Sequence, residues 1–198
     1  MVRVNRAGSR LWPGLALLLM LAGCHRAPRL VGTNITGVPW GGDFTLIGTN
    51  GRAFNTKTLR GKVVLLYFGY TRCTDVCRPT LRRLATLMRR LGPDARRTRV
   101  VFVSIDPSYD TPARIRRFLS HIDPQFIGLT GTAAAVERVE ARFKVASERN
   151  PSAAPAQRYM HSDGVYMEDP SGRLRLYVSG MARLRDLARD VRTLLAAG

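Results

Sequence analysis

The sequence predicts one α/β domain, a mixed central sheet flanked by helices, with an N-terminal hairpin and a late β-hairpin. Three observations carry this. Val63–Phe68, apolar without alternation, has the character of a strand buried on both faces, and Val100–Ile105 reads as a second buried strand. Stretches with helical spacing separate successive strands, as parallel crossovers require. Near the C-terminus two short strand signals bracket a turn, which makes an antiparallel edge.

The elements follow in order. Phe44–Ile47 is the first strand signal, and Thr49-Asn50-Gly51-Arg52 after it is a tight hairpin turn. Leu59-Arg60-Gly61-Lys62 turns the chain into Val63–Phe68, and Gly69–Pro79 follows directly. From Thr80 to Leu91 a helix gathers Leu81, Leu84, Leu87, Met88 and Leu91 on one face. After the strand Val100–Ile105, Asp110-Thr111-Pro112 starts a helix that runs to about Leu119, with a capping side chain just before the proline. Gln125–Leu129 is a short strand, and Thr132–Phe143 is a helix. Residues 148–158 read as an exposed loop. Val165–Glu168 and Leu174–Val178 form the late hairpin around Asp169-Pro170-Ser171-Gly172. Arg183–Ala196 closes the chain as an amphipathic helix with Leu184, Leu187, Val191, Leu194 and Leu195 on one face.

A chain of 198 residues, 45% hydrophobic, has enough apolar material for one domain with a real core. The formal charge of +18 is nearly all arginine, scattered rather than blocked. It forms no basic run interleaved with aromatics, so nucleic acid is not an expected partner. Acidic protein or lipid surfaces suit this charge better.

The N-terminus reads as an export leader. Arg3, Arg6 and Arg10 precede the apolar run Leu15–Ala22, which is too short to span a bilayer comfortably. Leu21-Ala22-Gly23-Cys24 resembles the lipobox of bacterial lipoproteins, in which the leader is cut before the Cys and the Cys is lipidated. The expected organisation is a leader over 1–23, lipidated Cys24 with a Gly/Pro/Thr/Asn-rich tether over 24–40, and a folded domain over 41–198. The expected location is an exported bacterial lipoprotein, anchored to a membrane and facing the periplasm or another extracytoplasmic space.

Of the three cysteines, Cys24 is taken by lipid, and Cys73 and Cys77 remain as a pair. Four residues apart on a helix, they share a face, and the sulfurs converge. They stand where a strand gives way to a helix, and a helix N-terminus favours thiolate. Arg72 and Arg78 add positive charge beside them. Redox Cys pairs of the thioredoxin type have two intervening residues, whereas this pair has three. Soft thiolates favour copper(I) or zinc. A third ligand is needed, and the chain has three histidines. His25 lies in the tether, His121 at a helix end, and His161 just before a hairpin, where a loop carries it over the Cys pair. Two Cys with one His suit copper with an open position, whereas structural zinc takes four ligands. Copper(I) with two thiolates and a neutral imidazole carries a net charge of −1, which Arg72 and Arg78 would offset.

A strand leading into a Cys pair at a helix start is a thioredoxin-like arrangement. The stretch Leu66-Tyr67-Phe68-Gly69-Tyr70-Thr71-Arg72-Cys73-Thr74-Asp75-Val76-Cys77 resembles the Sco/SenC family of copper-binding proteins. Four further pieces agree in order: Gly42–Leu46; Leu59–Lys62; Ser104–Pro107 with Asp110–Pro112; and Met160-His161 ahead of Tyr166 and Asp169–Gly172. The resemblance covers about residues 41–197 and implies a thioredoxin-like fold with copper held by Cys73, Cys77 and His161. Asp75, between the cysteines, matches too and is expected to tune or orient the site. The family usually has Pro after each Cys, but here those places hold Thr74 and Arg78, with Pro79 one step later.

The implied role is assembly of the binuclear copper centre of a respiratory cytochrome c oxidase. Its partners are then the copper-site subunit of the oxidase, a copper donor chaperone, and the membrane through the lipid anchor. The sequence leaves copper(I) and copper(II) both open. The competing function is a thiol-disulfide reductase that keeps the oxidase's copper-site cysteines reduced, with Cys73 attacking and Cys77 resolving. A peroxidase fits less well, because it needs a single reactive Cys. Asp106 and Asp110 also form a carboxylate pair on paper, although the start of the Pro112 helix is reason enough for Asp110.

Overall fold

Val63–Phe68 is apolar at every position because both of its faces are covered. The computed structural model describes residues 30–198, so the leader, Cys24 and His25 lie outside the described residues. From Val31 the chain already lies on the domain. The Asp190 carboxylate accepts from the Val31 and Gly32 N–H groups, each at 3.0 Å, and Ile35 is buried. Here β1 (Thr33–Asn34) forms an edge strand inside the stretch expected as tether. Two polar residues give no strand signal of their own.

The expected N-terminal hairpin is β2 (Thr45–Gly48) and β3 (Ala53–Asn55), with Gly51 at φ 77° in the turn. Next come β4 (Val63–Gly69), α1 (Cys77–Leu91), β5 (Thr98–Ser104), α2 (Pro112–Ser120), β6 (Ile127–Thr130) and α3 (Ala133–Phe143). Then follow β7 (Ser147–Arg149) and β8 (Tyr159–His161), the late hairpin β9 (Gly164–Glu168) with β10 (Leu174–Ser179), and α4 (Leu184–Ala196). The Thr111 and Thr132 side chains cap α2 and α3 by accepting from Arg114 N–H and Ala135 N–H.

The main sheet has the order β1-β10-β9-β4-β5-β6-β2-β3. Its centre, β4-β5-β6, is parallel, and every pairing outside that centre is antiparallel. This is the mixed, helix-flanked sheet expected from the sequence. Successive side chains of β4 serve opposite faces. Tyr67 meets Phe102, which in turn meets Phe118 of α2. Phe68 meets Phe143 of α3 and Tyr166 of β9. Among the described residues no helix is long and apolar enough to cross a membrane.

One expectation is corrected. Residues 148–158, read as an exposed loop, begin with the end of β7, which pairs antiparallel with β8 in a separate two-stranded sheet. Its strands are three residues long, with polar Ser147-Glu148-Arg149 on one side, so no alternation is visible in the sequence.

Candidate metal centre

The site lies at the C-terminal end of β4, where a parallel sheet usually opens to its ligands. β4 stops at Gly69, the chain turns through Tyr70–Val76, and α1 begins at Cys77. Cys73 therefore lies in the turn and not on the helix, which corrects the expected helical pairing. Val76, at φ −123° and ψ −40°, is not helical, and the Cys73 N–H donates to the Tyr70 carbonyl at 3.2 Å. The sulfurs converge all the same, because the Cys77 N–H donates to Cys73 Sγ at 3.3 Å.

His161 closes the site from the last residue of β8, with its Nε2 3.3 Å from Cys77 Sγ. Its Nδ1 lies 2.9 Å from the Ser162 carbonyl oxygen, which only accepts. Nδ1 therefore carries the hydrogen, and Nε2 faces the sulfurs. One ligand atom from each of Cys73, Cys77 and His161 falls within 4.8 Å of the others. Neither of these cysteines is in a disulfide, and both are buried.

Several contacts hold the β7–β8 hairpin over the Cys turn. The Tyr70 hydroxyl donates to the Ala156 carbonyl at 2.6 Å, and the Tyr70 ring packs on Tyr159 and edge-on to His161. The Tyr159 hydroxyl reaches Asp106 at 3.3 Å. Asp75 accepts from Thr74 Oγ1 at 2.7 Å and from Gln157 Nε2 at 3.2 Å, so it ties the residues between the cysteines to the hairpin loop. These hydrogen bonds, the Thr74 one foremost, hold its exposed carboxyl below the usual carboxylate range.

The two cysteines hold unequal environments. Cys73 is pulled down to about 4, first by the hydrogen bond from the Cys77 thiol and then by His161 and the Cys77 and Val76 N–H groups, with burial opposing. Burial, followed by the neighbouring Cys73 sulfur, pushes Cys77 up. The metal-free pair is thus one thiolate and one thiol. Reduced, metal-free protein is expected to keep the ultraviolet absorbance of one thiolate as pH falls, losing it only near pH 4. In Cys77→Ala that loss is expected to move to higher pH. An unmoved midpoint would show that the Cys77 thiol is not what stabilises Cys73.

Arg72 and Arg78 reach neither sulfur by any hydrogen bond among the described residues. Arg72 pairs with buried Asp106 and lies over the Tyr109 ring at 4.0 Å. Arg78 lies over Phe118 at 5.3 Å. The paired-carboxylate reading of Asp106 and Asp110 is replaced by two separate structural tasks. Asp106 accepts from Arg72, Ser108 and Tyr159. Asp110 does not cap α2, since Thr111 does. It accepts from Ser104 Oγ at 2.6 Å, from Thr71 N–H at 2.9 Å, and from the Thr71 hydroxyl. Burial pushes the Asp110 carboxyl up. Thr71 is two residues before Cys73, so Asp110 pins the start of the ligand turn.

The sequence reading did not single out Tyr70, Tyr159 or Gly69. The signal for Gly69 was its place between a buried strand and the Cys turn. A Cβ there would lie 2.9 Å from Cys77 Sγ. Tyr67, on the same face, is fully buried, its hydroxyl has no hydrogen-bond partner among the described residues, and burial, the largest cause, pushes that hydroxyl up.

Known proteins share this fold. The chain is 33% identical to Bradyrhizobium japonicum ScoI, solved with copper bound, with a TM-score of 0.71 over 77% of this chain and 98% of that one. It is 28% identical to yeast Sco1 with copper bound, with a TM-score of 0.67 over 77% of this chain and 88% of that one. It is 38% identical over 135 residues to a SCO2-like protein of Rickettsia conorii, covering 67% of this chain and 66% of that protein's length. The SCO1/SenC family model matches residues 33–196. With the family model matching that span and the fold agreeing with solved relatives, the chain belongs to the SCO1/SenC family.

Proposed function

We propose that this protein holds one copper ion with Cys73, Cys77 and His161 and passes it on during assembly of the binuclear copper centre of a respiratory cytochrome c oxidase. The observation that carries the reading is the convergence of two sulfurs and an imidazole Nε2 within 4.8 Å. His161 is fixed through its other nitrogen by Ser162. Two soft sulfurs and one nitrogen suit copper, and three ligands leave the open position that transfer needs. Relatives solved with copper bound support the choice of metal. The recipient is the copper-site subunit of the oxidase, and the supplier is a copper donor chaperone. Lipidation at Cys24 tethers the domain to a membrane on its extracytoplasmic side, and Asp75 keeps the ligand turn in register with the His161 hairpin.

Titration of the reduced protein with copper(I) against a chromogenic competitor tests this. One ion per chain is expected. His161→Ala is expected to weaken it by more than roughly a hundredfold, beyond the effect of losing a mere support to a ligand. Binding indifferent to His161 would sink the copper site.

The second reading is a thiol-disulfide reductase acting on the same oxidase cysteines. The thiolate–thiol asymmetry of Cys73 and Cys77 favours it. Against it, Cys73 is only 3% exposed, so an incoming disulfide would have to open the turn. His161→Ala separates the two: it removes a copper ligand and leaves a dithiol able to exchange.

A further inference from the structure

One flank of the ligand turn is a groove of about 310 Å³ lined by Arg72, Arg78, Tyr109, Arg114, Arg117 and Phe118. Arg72 and Arg78 adjoin Cys73 and Cys77 in the chain, so the groove abuts the metal centre. Four guanidiniums gathered in one place repel each other. Among the described residues, Asp106 on Arg72 is the one acid that pairs with any of them. Their planes are set by aromatic faces. Arg72 and Arg114 both lie over Tyr109, at 4.0 and 4.1 Å, and Arg78 lies over Phe118. Their N–H edges are under-used: among the described residues, Nε of Arg72 and Nε of Arg78 are buried with no partner. A guanidinium fork held flat in this way suits a carboxylate, which takes two parallel N–H bonds.

A second observation points to a partner beside the ligands. Val76, between the cysteines, and Met160, beside His161, are 39% and 77% exposed. They are two of the five large apolar side chains left exposed among the described residues. Apolar side chains beside the ligands, with unanswered charge alongside, have the composition of a docking surface.

We propose that the groove of Arg72, Arg78, Arg114 and Arg117 docks an acidic segment of the protein that exchanges copper with this site. The partner's carboxylates lie in the groove while its own metal ligands face Cys73, Cys77 and His161. This rests on the copper reading for the partner's role but not for its charge.

The test uses two fluorescein-labelled peptides carrying the same Cys pair, one flanked by glutamates and one by serines. Their anisotropy is followed on reduced, metal-free protein. The glutamate peptide is expected to bind roughly tenfold more tightly at low salt, with the preference shrinking as salt rises. Reversing charge at the two exposed α2 positions, Arg114→Glu with Arg117→Glu, is expected to erase the preference and leave copper(I) affinity unchanged. Equal binding of the two peptides, or a preference that survives the double reversal, would overturn the proposal. So would a variant that loses only binding to phosphatidylglycerol vesicles, which would assign the groove to lipid. Acid preference in a protein that binds no copper would overturn the copper reading instead and leave the acid-docking surface standing.

Discussion

Cys77→Ser is expected to abolish stoichiometric copper(I) binding while the domain stays folded. A serine hydroxyl is a hard ligand that does not ionise near neutral pH, so the site falls to one thiolate and one imidazole. A complete four-ligand structural zinc site is worth roughly 10–16 kcal/mol, or about 2.5–4 kcal/mol per ligand. Loss of one ligand on that scale weakens binding by about two to three orders of magnitude. The fold has no reason to fail. Cys77 is fully buried, but Ser is smaller and its hydroxyl still donates to Cys73 Sγ as the thiol does. Cys73→Ser is expected to lose copper equally. Competitive copper(I) titration reads the first effect, and a thermal melt of the metal-free variants reads the second. Near-normal affinity in either variant would mean that the metal is held elsewhere.

The parts of this protein that were legible in the sequence are those where one local pattern had one meaning. Val63–Phe68 is apolar at every position and Val100–Ile105 at every position but Ser104, and only a strand covered on both faces explains that. The amphipathic spacing of α1 and α4 was equally direct. The three clustered ligands came from residue types and motif, and the resemblance joined His161 to the Cys pair across 84 residues. What was hidden depends on partners distant in sequence. Asp106 reads as a loop acid until Arg72, 34 residues earlier, is seen against it. Asp110 sits one residue before a helix cap and reads as part of it, yet its partner is Thr71, 39 residues away. The hairpin that delivers His161 has strands too short to show alternation. The arginines beside the cysteines suggested electrostatic help to the thiolates. The Cys77 thiol and backbone N–H groups, which donate to Cys73, and the adjacent His161 ring supply that help, and aromatic rings and Asp106 hold the arginines.

Gly69→Ala is expected to damage the metal centre more than so small a change suggests. In a strand, alanine normally gains over glycine by roughly 0.5–1 kcal/mol, because the unfolded chain has less freedom to lose. The sign reverses at Gly69 because of what stands around it. An added Cβ would lie 2.9 Å from Cys77 Sγ, 3.1 Å from Tyr67 Cε1 and 3.3 Å from Phe102 Cε2. All three neighbours belong to fully buried residues, in an interior whose close packing resists displacement of a ring. The lightest group is the sulfur, so the Cys77 side chain rotates away first and leaves the point where Cys73 Sγ and His161 Nε2 meet. Overpacking that cannot be relieved costs about 1–3 kcal/mol. The variant is therefore expected to melt at a lower temperature and to bind copper(I) at least roughly tenfold more weakly, approaching Cys77→Ser if the rotation is complete. A small residue is then required at the end of β4 by the ligand that follows eight positions later, and not by the backbone. A Gly69→Ala protein with full copper affinity and an unchanged melting temperature would show that the sulfur has room to stay.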